Sequence, residues 1–282
     1  MGLFRRSLYK SPAQLRLMRE PGLLTARALA AACAAVKPGV TTGELDRIAE
    51  GVIVAGGGKP NFKMEPGYHH TLCVSVNDQV VHGIPGNRVI EAGDIVSIDC
   101  GADVGGWNGD SAASVVVPDT VRPDVQSAGE RLSRATEGAM WAGIARLATA
   151  THLNEVGDAV QSFVEANPDE FGDQYGIIED YIGHGIGRSM HEEPPVFNYR
   201  VPMQGPAVKP GLVVAIEPMV VGGSPDTVVD NDEWTVLTVD GDIAAHWEHS
   251  VAVHEDGIWV LTAEDGGAAG LAPFGVTPTP IA

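Results

Sequence analysis

Carboxylates placed at the ends of apolar runs are the first feature of the chain that could do chemistry. Asp94-Ile95-Val96-Ser97-Ile98-Asp99 reads as a strand ending in an acid, Gly105-Gly106 offers a turn, and Asp110 stands on the way back. A two-residue turn centred on Val104-Gly105 sets Asp99 and Asp110 directly opposite, whereas one centred on Gly105-Gly106 makes them diagonal neighbours. In either register two like charges are forced together, which costs stability unless one is protonated or a cation lies between them. Val213-Val214-Ala215-Ile216-Glu217 again ends in an acid, and Ala245-His246-Trp247-Glu248-His249 places one inside a strand, where glutamate is unfavourable. A single glutamate of this kind is ordinarily salt-bridged or exposed at an edge. Three such sites in one chain point to ligation of a hard or borderline cation. An imidazole is available in Gly183-His184-Gly185-Ile186-Gly187, with His191 following in Met190-His191-Glu192. Glycines let the backbone turn sharply and carry the ring into a crowded site. The run lacks both the Lys-Ser/Thr ending of a phosphate loop and the GxGxxG spacing of a dinucleotide fold.

The elements that must position these residues alternate between helix and strand, in an α+β manner. Ser11-Pro12 opens a helical segment with Leu15, Met18, Leu23 and Leu24, interrupted at Pro21-Gly22 and running to Val36. Thr41 and Glu44 have capping-box spacing before Leu45, Ile48, Ala49 and Val52, and Gly56-Gly57-Gly58 ends that helix. Ser127 and Glu130 repeat the spacing before Leu132, Ala135, Ile144 and Leu147, and Leu153, Val156, Val160 and Phe163 form a fourth stripe. Short β-rich runs are expected from Leu72 to Val76, Ile95 to Asp99, Ala113 to Val117, Val213 to Ile216, Thr235 to Val239 and His249 to Val253. Helices followed by strands thus occur once in each half. A basic segment (1–10), one folded domain (11–262) and a flexible Gly/Ala/Pro/Thr-rich tail (263–282) are the expected divisions.

The chain has 282 residues and a formal charge of -19, from 37 acidic against 18 basic residues. That balance disfavours binding to a phosphate backbone or an anionic lipid surface. No apolar run approaches a membrane span, and no secretory signal follows the basic start, so a cytoplasmic location is expected; a monomer is expected separately. Cys33, Cys73 and Cys100 form no CxxC pair, which excludes a zinc-thiolate motif and reads as reduced thiols, mostly in the core.

Taken in order, His82-Gly83-Ile84-Pro85, Ile98-Asp99 with Asp110, Gly183-His184-Gly185-Ile186-Gly187 with His191, Ile216-Glu217-Pro218-Met219 and Glu248-His249 resemble the motif series of type I methionine aminopeptidases, in peptidase family M24. The resemblance spans Ser11 to about Leu261 and fits the minimal bacterial form. It implies the pita-bread fold, two pseudo-symmetric halves closing on a dinuclear metal site. By resemblance, Asp99 chelates one ion, His184 and Glu217 bind the other, and Asp110 and Glu248 bridge both. The metals implied are Co, Mn, Fe or Zn, with a monovalent cation near Asn77. The implied reaction is release of the initiator methionine from nascent chains with a small second residue, through a metal-bridging hydroxide. Glu217 then also serves as general base, and His82 and His191 stand beside the scissile peptide. The matching methionine pocket is Phe62, Tyr68, Cys73, Met190 and Trp234, together with His82 and His191. Met190 replaces a frequent aromatic residue and His246 a frequent glutamine. Contact with the ribosome would run through Met1 to Lys10. Two other readings compete: an Xaa-Pro-type pita-bread peptidase, which ordinarily carries a separate N-terminal domain, and a catalytically silent pita-bread binding module, whose ligand positions are ordinarily substituted.

Overall fold

A computed structural model of the chain describes residues 8–166 and 175–282. Two helices lie on an antiparallel sheet, and this arrangement occurs twice. In the first half, helices α1 (Pro12–Ala35) and α2 (Thr42–Ala55) cover a sheet of Lys59–Pro60, Leu72–Val76, Ile95–Val104 and Trp107–Val116. Leu24, Ala28, Leu45 and Ile53 from the helices close over Leu72, Val74, Val96 and Ile98 from the strands. In the second half, α3 (Pro123–Leu147) and α4 (Glu155–Ala166) pack together over a five-stranded sheet, ordered Gly257–Val260, His249–His254, Val213–Ile216, Gly183–Gly185, Glu192–Val196. Met140, Ile144, Val156 and Val160 there meet Val214, Ile216, Val251 and Val253. Two three-stranded sheets complete the molecule. No described helix is long and apolar enough to cross a membrane.

The local signals mostly act as expected. Ser11 with Gln14 and Thr41 with Glu44 form capping boxes that satisfy the first free N–H groups of α1 and α2. Four expectations are corrected. Pro21-Gly22 does not interrupt α1: a Cβ on Gly22 would overlap the Leu261 carbonyl, so glycine there lets the helix continue in close contact with the far strands. Helix α3 begins at Pro123, not at a Ser127 cap. Asp119 Oδ1 accepts from Val121 N at 2.8 Å and Arg122 N at 2.9 Å, and Pro123 needs no hydrogen-bond partner in the first turn. The tail is seated and not loose. Leu271 is fully buried, Ile281 packs among Leu15, Met18 and Trp107, and Thr279 N donates to Ile258 O at 3.0 Å. Lys10 belongs to the folded domain, buried and paired with Glu192 at 2.8 Å. Arg5 and Arg6, which carry the rest of the expected basic segment, lie outside the described residues.

Candidate active site

The hairpin Ile95–Val104/Trp107–Val116 turns at Gly105-Gly106, because Val104 pairs with Trp107. Asp110 therefore faces Gly101, and Asp99 faces Ala112, so the two acids are diagonal neighbours on one face. The second sheet delivers the other groups. His184 is central in Gly183–Gly185, and Glu217 follows directly on Val213–Ile216. The glycines beside His184 serve close approach and not a sharp turn: a Cβ on Gly183 would overlap Ala215 O, and one on Gly185 would overlap Glu193 O. Both flanking strands can consequently press against the one that carries the imidazole.

Glu248 differs from its expected place inside a strand. It sits in the break between Ala244–His246 and His249–His254, where its N–H donates to Ala112 O at 2.9 Å and its carbonyl accepts from Ala112 N at 3.2 Å. Those bonds stitch the second sheet to the first beside Asp110. Serines reinforce the seam: Ser250 Oγ donates to Asp110 O at 2.8 Å, and Ser111 Oγ donates to Glu248 O at 2.7 Å. The acids of the two halves are thus fixed relative to one another through backbone, a stiffer connection than side-chain contact.

Ligand atoms of Asp110, His184 and Glu248 lie within 4.8 Å of one another. His184 Nε2 is 3.3 Å from Glu217 Oε1 and 3.9 Å from Asp110 Oδ2. Asp99 Oδ1, Asp110 Oδ1, Glu217 Oε1 and Glu248 Oε1 are all buried without a hydrogen-bond partner. Desolvation of several uncompensated charges costs far more than a fold of this size can tolerate, so such acids either retain protons or meet a cation. Their titration reflects this. Burial pushes Asp99 up to about 7 and, with repulsion from neighbouring acids, holds Asp110, Glu217 and Glu248 well above the usual carboxylate range. Burial also holds His184 down to about 4, leaving a neutral ring with a free lone pair. Four oxygen donors and one imidazole suit a divalent cation of hard or borderline character.

The cluster opens into a small cavity. All twelve residues singled out from the sequence line it: the five donors above, the two further histidines, and the apolar set Phe62, Tyr68, Cys73, Met190 and Trp234. The apolar set forms its own buried group, with Tyr68 5.0 Å from Trp234 between ring centroids and Tyr68 Oη donating to Leu72 O at 2.8 Å. His191 stacks edge-on against His184 at 4.5 Å, and His82 stands 6.5 Å from Trp234. Burial lowers His191 and brings His82 down to about 4. Glu65 and Val81 also line the cavity and were missed. Glu65 closes the single turn Phe62–Met64, too short to show a period, and Val81 is one apolar residue among many. Asn77 is heavily engaged: its amide donates to Asp94 at 2.9 Å and accepts from Ile95 N at 3.0 Å, and its carbonyl accepts from Ala244 N at 2.8 Å.

Comparison with known proteins agrees with this geometry. Residues 16–255 match the model of metallopeptidase family M24. The chain is 41% identical over 253 residues to methionine aminopeptidase 1 of Bacillus subtilis, covering 90% of this chain and 98% of the relative. It is 44% identical over 254 residues to methionine aminopeptidase 1 of Mycobacterium tuberculosis, with 90% and 94% covered. The chain belongs to metallopeptidase family M24, in its methionine aminopeptidase branch. A solved methionine aminopeptidase from Thermotoga maritima superposes with a TM-score of 0.83 at 36% identity, over 91% of this chain and 99% of that one. The two helix-on-sheet halves are accordingly the pita-bread fold of M24 enzymes, and the chain is a hydrolase of the metallopeptidase class.

Proposed function

We propose that the chain releases the N-terminal methionine of nascent proteins in the cytoplasm, with a preference for a small second residue. The observation that carries this reading is the juxtaposition of four unpartnered buried carboxylate oxygens and a neutral imidazole with a narrow apolar pocket. Asp99, Asp110, His184, Glu217 and Glu248 would hold two divalent ions, which supply Lewis acidity and an acidified water at neutral pH. Co, Mn, Fe and Zn all suit the donor set.

The chain's own residues do the rest. The unbranched thioether enters between Phe62, Tyr68, Cys73, Met190 and Trp234, where dispersion contacts favour a flexible sulfur-bearing chain. Glu217 takes the proton of the attacking water and delivers it to the leaving amine. His82 and His191, kept neutral by burial, donate hydrogen bonds toward the charge that develops at the scissile peptide. A small second residue is preferred because it must fit beside the charged cluster.

A series of Met-X peptides, with X from glycine to tryptophan, tests the reading. Methionine release is expected for X = Gly, Ala or Ser, with loss in chelator and recovery on adding Co(II), Mn(II) or Fe(II). A preference for cleavage next to proline would move the chain to the Xaa-Pro reading. Indifference to chelator together with inactivity on every peptide would support a silent binding module.

A further inference from the structure

Glu217 presents its two carboxylate oxygens in different directions. Oε1 lies 3.3 Å from His184 Nε2, within the acidic cluster, while Oε2 lies 3.8 Å from His246 Nε2. His246 is 2% exposed, and its Nε2 is buried with no hydrogen-bond partner. A ring nitrogen left in that condition costs stability, and chains rarely keep one without a use. The ring is also firmly aimed. Its residue pairs with Met219, two positions beyond Glu217, and its N–H is held by Ser114 Oγ at 2.9 Å while its carbonyl accepts from the same hydroxyl at 2.9 Å. Asn198 Nδ2 donates to the Glu217 carbonyl at 3.2 Å, so the glutamate backbone is held as well.

We propose that His246 is a positioning residue, donating its Nε2–H to Glu217 Oε2 when Oε1 is committed to a divalent ion. The present separation is longer than a hydrogen bond, and a small rotation of the carboxylate closes it. Carboxylate ligands are commonly fixed by a donor on their far oxygen, and removal of such a donor typically weakens metal affinity 10- to 100-fold. His246 thereby sets the plane of the carboxylate. The inference rests on the proposed metal-binding role of Glu217.

Titration calorimetry with Mn(II) on metal-free protein tests it, using wild type, His246→Leu and His246→Gln, with thermal unfolding as the check on folding. Leucine fills the space without a donor, whereas glutamine restores an N–H near the original place. We expect His246→Leu to bind Mn(II) about 10- to 100-fold more weakly and His246→Gln to recover most of that loss. Equal affinity of wild type and His246→Leu overturns the inference and leaves the metal site standing. Absence of Mn(II) binding by wild type overturns both. A nitrogen-15 spectrum of the Zn(II)-loaded wild type reports the ring whether or not the variants fold. A protonated, uncoordinated His246 Nε2 supports the inference, and a coordinated one overturns it by making His246 a ligand.

Discussion

Raising the pH of the metal-free protein from about 7 to about 8.5 separates the acidic cluster from the histidines. Burial holds His82, His184 and His249 near about 4 and His246 near about 3. Depressed histidines stabilise the fold above their unfolded value of about 6.5 and cease to do so as pH falls, so they are nearly silent in this window. The acids have the opposite sign. Asp99 is pushed up to about 7, and Asp110, Glu217 and Glu248 are held well above their ordinary range by burial and mutual repulsion. Their stabilisation is full below about pH 4 and is lost as pH rises through the folded values. Each proton that the folded cluster keeps and the unfolded chain has released gives a slope of about 1.4 kcal/mol per pH unit. One retained proton therefore lowers stability by about 2 kcal/mol across the window, or roughly 4–8 °C in melting temperature. Desolvation also raises Cys33, Cys73 and Cys100, so they too lose stability at the alkaline end, in both the presence and the absence of metal. The decisive quantity is thus a difference. Urea unfolding followed by tryptophan fluorescence, in EDTA and in excess Mn(II), should show a steeper fall with pH in EDTA than in Mn(II). Stability that is flat or rising in EDTA, or an equal fall in both solutions, would refute the reasoning.

Three further outcomes follow from the same contacts. Glu217→Gln should lower kcat by about 10²–10⁴ without lowering the melting temperature, because one of several crowded charges is removed; methionine release and calorimetry read the two effects. Trp234→Ala removes a ring wall of the pocket beside Tyr68 and sacrifices about 1.5–3 kcal/mol of contact. KM for Met-Gly peptides should rise roughly 10- to 100-fold, while kcat changes little. Deleting residues 276–282 withdraws Ile281 from Leu15, Met18 and Leu261, costing about 1.5–3 kcal/mol; melting should occur at lower temperature, with kcat on a Met-Ala peptide unchanged.

Carboxylates after apolar runs and a glycine-flanked histidine pointed to a cation, whereas the ligand roles, His82, His191 and the apolar pocket came only through resemblance to the family. The strand expected to end at Asp99 runs on to Val104 and leaves Asp99 in its interior, yet Asp99 and Asp110 across a Gly-Gly turn still share one face, and the observed register is one of the two the turn allowed. The capping boxes at Ser11 and Thr41 are local chemistry and were equally plain. What the sequence concealed depends on distant partners. Gly22 lets α1 lie directly against Leu261, far along the chain, where a side chain would overlap. The tail looked loose from its composition, yet Leu271 and Ile281 find apolar surface built by other segments. Glu248 lies in a break between strands because its backbone pairs across to Ala112, a contact between halves that no local pattern reveals. His246 is of the same kind: only the folded chain shows its ring nitrogen turned toward Glu217.

Anomalous diffraction from crystals soaked in Zn(II) tests the gathering of the five donors most directly. The account predicts two peaks in the cavity, with side-chain oxygens or nitrogens of Asp99, Asp110, His184, Glu217 and Glu248 at about 2.0–2.2 Å from them. Zinc bound elsewhere, or a cluster in which Asp99 or Glu248 contacts neither ion, would contradict it.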